Sequence, residues 1–111
     1  MQNYHSELAV QIHEYLTANF QDRITLDMLA KKYCISISHL GRIYREQMGV
    51  TIISYLTAVR IHEAKRLIRE ENLMFSQIAE AVGYGNAYYF SSQFKKYTGM
   101  TPTEYSRSLP D

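Results

Sequence analysis

The chain has 111 residues, 46% of them apolar, with one cysteine, two prolines and a formal net charge of +1. That supports a modest core in one domain, or in two very small ones sharing a long element, and no apolar run approaches the roughly 18 residues of a membrane span. The lone Cys34 excludes an internal disulfide framework and fits a reducing cytoplasm, while the opening MQNYHSELAV lacks the basic-then-apolar layout of a signal peptide.

Pro102 and Pro110 both lie near the end, so helix is permitted everywhere before them and the expected class is all-α. Ser6 is the expected cap of a first helix reaching about Phe20, with Leu8, Ile12, Tyr15 and Leu16 on one face. Thr25 caps a short second helix, with Leu26, Leu29 and Ala30 inward and Asp27 at its positive end. Ser36 caps a third, striped by Ile37, Leu40, Ile43 and Tyr44 and ended by Gly49. A long fourth helix starts at Thr51 and runs to about Glu70, buried through Tyr55, Leu56, Val59, Ala64, Leu67 and Ile68. The fifth, near Phe75 to Val82, has Met74 where the second helix has its capping threonine; Asn72 or Ser76 is the expected substitute. A sixth spans Asn86 to about Thr98 before Gly99, and a seventh opens at Thr101-Pro102, where proline is tolerated.

The chain repeats itself. Leu29 and Ala30 match Ile78 and Ala79 at an offset of 49. Beyond the turn the offset is 50, pairing Leu40 with Phe90, Tyr44 with Phe94, Arg45 with Lys95, Gly49 with Gly99, Thr51 with Thr101 and Tyr55 with Tyr105. The extra residue falls in the turn, Cys34-Ile35 against Gly83-Tyr84-Gly85. Each copy is a short helix, a tight turn and a longer helix with a basic end, the outline of a helix-turn-helix. The resulting layout is a first helix-turn-helix subdomain over 6–49, a linker helix over 51–70 and a second subdomain over 73–107. A twenty-residue helix spans about 30 Å, close to the roughly 34 Å between successive major-groove faces on one side of a duplex. Two units so joined would present their reading helices, about 37–48 and 87–98, to adjacent groove segments.

Charge follows the same plan. Residues 35–69 carry six cations against Glu46 and Glu63, a net of +4, while residues 70–92 hold only Glu70, Glu71 and Glu80, a net of −3. The basic middle matters more to a polyanionic partner than the small total.

The run AEAVGYGNAYYFSSQFKKYTGMTPTEY resembles the signature of the AraC/XylS family of bacterial transcription regulators. The segment LDMLAKKYCISISHLGRIYREQMG resembles that family's first helix-turn-helix, and AVRIHEAKRLI its linker helix, so the likeness runs from about Val10 to Ser106. The resemblance implies sequence-specific binding of double-stranded promoter or operator DNA and control of transcription. Family members usually carry this domain C-terminal to a sensing, dimerising or receiver domain, and a minority consist of it alone; a fragment of a longer regulator is slightly favoured here.

By position in the family motif, Ser38, Gly41 and Arg42 fall where bases are read, and Ala87, Tyr88, Ser91 and Ser92 match them in the second copy. Arg42 leads, because a guanidinium can bond guanine O6 and N7 together. Gly41 departs from the pattern, having no side chain to read with. The second set is small or neutral, so that unit is expected to position more than it specifies. Arg45, Lys95 and Lys96 at helix C-termini, Ser36 at a helix N-terminus, His39 beside the reading face and Arg60 on the linker helix are the candidate phosphate contacts. For Arg60 a structural ion pair is the competing role, and Lys65, Arg66 and Arg69 read as a solvated helix face. Tyr15, Tyr33, Tyr44, Tyr55, Tyr97 and Tyr105 read as core, as do Tyr89 and Phe90, rather than as base-stacking residues. Catalytic motifs, a metal site and a cofactor are not expected, and nothing offers a dimer seam, so an isolated monomer is. The alternative reading is a helical protein-interaction module contacting RNA polymerase or another regulator.

Overall fold

The computed structural model describes the backbone of residues 2–110 and the side chains of residues 4–110. Its elements are α1 (Gln2–Asn19), α2 (Leu26–Tyr33), α3 (Ile37–Met48), α4 (Ile52–Glu70), α5 (Phe75–Ala81), α6 (Ala87–Thr98) and α7 (Pro102–Ser108), with no strand among the described residues. The chain divides into two units, Met1–Leu56 and Thr57–Asp111, so α4 begins in one and continues into the other.

In the first unit α1 packs across α3, and α2 packs against α3 as the first half of the helix-turn-helix. The core joins Leu8, Ile12 and Leu16 of α1, Leu29 and Ala30 of α2, Leu40, Ile43 and Tyr44 of α3, and Ile52 and Leu56 of α4. Ala30 is buried, as a close crossing of two short helices requires. The expected cap at Ser6 is corrected: α1 already starts at Gln2, leaving Ser6 exposed inside the helix. Nothing in the preceding residues breaks a helix, and the added turn gains a tertiary contact, His5 edge-on to His39 of α3 at 5.9 Å.

Polar groups fix how α3 is seated. The Tyr44 hydroxyl and His13 Nδ1 share a hydrogen bond of 3.1 Å. The His13 ring also lies 4.4 Å from that of Tyr55, whose hydroxyl meets Thr17 Oγ1 at 2.6 Å. Burial, helped by nearby Tyr55, pushes the Tyr44 hydroxyl up to about 12.

The second unit repeats the plan with aromatic residues. Phe90 and Phe94 of α6 are fully buried, in a run of ring contacts from Tyr84 through Phe90 and Phe94 to Tyr105 at 5.6–5.8 Å. Ile61, Ala64 and Leu67 of α4, Ile78 and Ala79 of α5, and Val82 just after it are buried as well. Tyr89 and Tyr97 are not. They are 55% and 45% exposed: Tyr89 lies about 100° around the helix from the inward Phe90, and Tyr97 lies one turn beyond the inward Phe94 and about 60° off its direction. Lys65, Arg66 and Arg69 are not simply solvated either. Arg69 donates to the Tyr105 hydroxyl at 3.1 Å, Lys65 stands over that ring, and Arg66 is paired with Glu63 and Glu70.

The turns locate the inserted residue. Ile35 N–H bonds the Ala30 carbonyl at 3.0 Å, and Tyr84 N–H bonds that of Ala79 at 2.9 Å, the same six-to-one closure in both copies. Cys34 therefore corresponds to Gly83 and Ile35 to Tyr84, which makes Gly85 the extra residue before the cap Asn86. The cap of α5 is also corrected. Neither Asn72 nor Ser76 serves: Met74 holds the cap position, and Gln77 Oε1 accepts its N–H at 2.8 Å.

Candidate nucleic-acid interface

In each unit a shallow groove runs along the second helix of the helix-turn-helix, and the two grooves use matching positions of the repeat. In the first, Ser38, Gly41, Arg42 and Arg45 of α3 come together with Thr51, the residue that caps α4. In the second, Tyr88, Ser91, Ser92, Lys95 and Lys96 of α6 come together with Thr101, the cap of α7. Subtracting 50 from Tyr88, Ser91, Ser92, Lys95 and Thr101 returns Ser38, Gly41, Arg42, Arg45 and Thr51. The surface is thus duplicated along with the core.

Local chemistry holds each groove in shape. Ser36 Oγ accepts the His39 N–H at 3.1 Å, and Asn86 Oδ1 accepts the Tyr89 N–H at 2.9 Å, so both helices start on a side-chain cap. Gly49 and Gly99 end them in the left-handed region, φ 83° and 84°, returning their N–H groups to the carbonyls of Arg45 and Lys95. Thr51 Oγ1 then accepts the Ser54 N–H, and Thr101 with Glu104 forms a reciprocal capping box. The Thr101 N–H holds the Glu104 carboxyl below its ordinary value, with the charge of Lys95 adding a smaller push.

The grooves differ in what they offer. Arg42 and Arg45 are exposed, and no ion pair among the described residues engages them; Lys31, by contrast, is tied to Asp27 at 3.0 Å. The second groove has Lys95 and Lys96 at its C-terminal end and Tyr88, 87% exposed, near its start.

Four of the residues singled out in the sequence stand apart from these grooves. Ser36 is occupied as a cap, though its hydroxyl hydrogen is still available to donate. His39 is half-buried against His5. Arg60 lies over the buried Tyr84 ring, 5.5 Å from its centroid, where burial lowers its guanidinium from the ordinary value. Ala87 lines a separate hollow, with Ser76 of α5 and Gly85 of the turn.

Sequence reasoning missed Ile37, Ile53 and the two threonines. Ile37 reads as core by angle but is 45% exposed, and it lines the first groove together with Ile53 of α4. Thr51 and Thr101 read only as caps. The repeat itself was the available signal for the threonines, since it pairs them at the same offset as the other groove residues.

Two short-helix, turn, long-helix units with open grooves on their longer helices define a double helix-turn-helix domain. The chain matches the helix-turn-helix domain family over residues 29–108. It is 38% identical over 100 residues to the bifunctional transcriptional activator/DNA repair enzyme AdaA of Bacillus subtilis, covering 90% of this chain and 47% of that protein. It is 31% identical over 93 residues to the arabinose operon regulatory protein of Escherichia coli, covering 83% of this chain and 32% of that one. Among solved structures it is similar to the C-terminal domain of AraT, a response regulator from Geobacillus stearothermophilus. There the TM-score is 0.88 at 30% identity, with 94% of this chain and 87% of that one covered. The chain belongs to the helix-turn-helix domain family of AraC-type transcription regulators, and it spans less than half the length of these two curated relatives.

Proposed function

We propose that this domain binds duplex DNA at an asymmetric site, with α3 and α6 each entering a major-groove segment, and thereby controls transcription from a nearby promoter. The observation that carries this reading is the meeting of the motif's base-reading and cationic residues in one open groove per unit, at matching repeat positions. In the first groove Arg42 reads a guanine, Ser38 lies beside it, and Arg45 holds a phosphate. In the second, Lys95 and Lys96 anchor the backbone, and Tyr88, Ser91 and Ser92 add modest discrimination through contact and shape. Ser36, His39, Arg60 and Ala87 take secondary places, since capping, packing or a separate hollow already occupies them.

Binding rather than catalysis is the proposed activity, in the cytoplasm and without a metal or cofactor. A sensing, dimerising or receiver domain is the proposed companion, in keeping with the greater length of the relatives. Exposed Leu73 and Met74, between α4 and α5, favour a second use of the fold, contact with RNA polymerase.

Selection of duplexes from a random pool by the purified chain, followed by titration at two salt concentrations, tests the proposal. Two blocks about one helical turn apart, with affinity falling steeply in salt, are expected. No enrichment and negligible binding at low salt would sink the DNA reading; binding to polymerase that depends on apolar residues and little on salt would replace it.

A further inference from the structure

The first groove has an apolar side for which phosphate and guanine contacts have no use. Ile37 and Ile53 are 45% and 51% exposed and line it with Leu26 and the buried Ile52. Gly41 stands one turn along α3 from Ile37, and a Cβ built there would meet nothing within 4 Å, so the glycine leaves a hollow between Ile37 and Arg45. The corresponding places in the second unit are Ala87, Ser91 and Thr103, which supply no such wall.

Arg42 and Arg45 line the same groove, so its occupant has to bring apolar surface into a cationic setting. Only one base edge in the major groove does that: thymine, through its 5-methyl group. We infer that the hollow framed by Ile37, Gly41 and Ile53 seats a thymine methyl, so that the first unit selects a thymine beside the guanine read by Arg42. The inference rests on the DNA reading above and adds to it a second specificity-determining side chain, Ile37. The missing side chain at Gly41 then leaves room for the methyl, and a base at that position is still discriminated.

The test uses the duplex that the intact chain selects, its first block being the one whose enrichment depends on Arg42. Each thymine of that block is replaced singly by deoxyuridine, and the chain is titrated on each duplex at fixed salt. One position within two base pairs of the guanine should lose about four-fold in affinity, the effect of one methyl group withdrawn from water. In Ile37→Ser the thymine and deoxyuridine duplexes should bind alike while the guanine is still required; the exposure of Ile37 keeps this change clear of the core. A first block without thymine, tolerance of deoxyuridine at every position, or full discrimination retained in Ile37→Ser each overturns the inference and leaves the DNA reading standing. Failure to bind any duplex at low salt removes both.

Discussion

Gly41 and Gly49 lie on α3 and at its C-terminal cap, and replacing each by alanine should move stability in opposite directions. An added Cβ meets nothing within 4 Å at either site, so packing is not the difference. Gly41 is inside the helix, where glycine costs about 0.8–1.0 kcal/mol relative to alanine. Gly41→Ala should therefore stabilise by about 1 kcal/mol and raise Tm by about 5 °C for a chain of this size. Gly49 sits at φ 83°. A side chain in the left-handed region costs about 1–2 kcal/mol, offset by about 0.4–1 kcal/mol from the stiffer unfolded chain. Gly49→Ala should thus destabilise by about 1 kcal/mol, placing the two variants about 2 kcal/mol apart. Urea denaturation followed by far-ultraviolet circular dichroism measures both. Shifts of the same sign, or a loss for Gly41→Ala, would refute the argument from backbone conformation. The pair also helps at the groove: any fall in DNA affinity for Gly41→Ala comes from a more stable protein, so unfolding does not explain it.

Arg42→Ala should cost about 1–3 kcal/mol on the selected duplex and relax one guanine, whereas Lys95→Ala should weaken all duplexes alike and reduce the salt slope by about one; titration across salt separates the two. Cys34 occupies the left-handed region at φ 58°, where the second unit has Gly83, and its thiol makes only a long contact of 3.8 Å with the Lys31 carbonyl. Cys34→Gly should accordingly stabilise by roughly 0.5–1 kcal/mol, read as an upward shift of the urea midpoint; a downward shift would mean the thiol contact matters more than the backbone. The Glu104 carboxyl is held below its ordinary 4.5 by its capping bond, so its contribution is complete above that value and disappears as the pH falls through the folded value. Glu104→Gln should flatten the dependence of Tm on pH below 4.5 while leaving some slope from Glu63, which Arg66 holds low in the same way. Parallel curves for variant and wild type would refute the capping role of the charge.

The repeat, the helix order and the grouping of the groove-lining residues were legible in the chain because they depend on spacing. A residue four places on lies one turn along a helix, and Thr25, Ser36, Asn86 and Thr101 cap through their own short side chains. Ser38, Gly41, Arg42 and Arg45 had to share a face of α3 for the same reason, and the offset of 50 carried that face into α6. What spacing left open was decided by neighbours. Ile37 has the angle of a core residue, but burial also needs an element to cover it, and at the first position of α3 it stays open to solvent. Tyr89 and Tyr97 are apolar enough for a core that Phe90 and Phe94 already fill. Ser6 was outcompeted by the longer α1, which gains the contact between His5 and His39, and Arg60 was drawn onto Tyr84 by a packing partner 24 residues away in the chain. Sequence alone determined which residues could meet within a helix; tertiary structure decided which of them are left facing a partner, because exposure is what remains after every other element has packed.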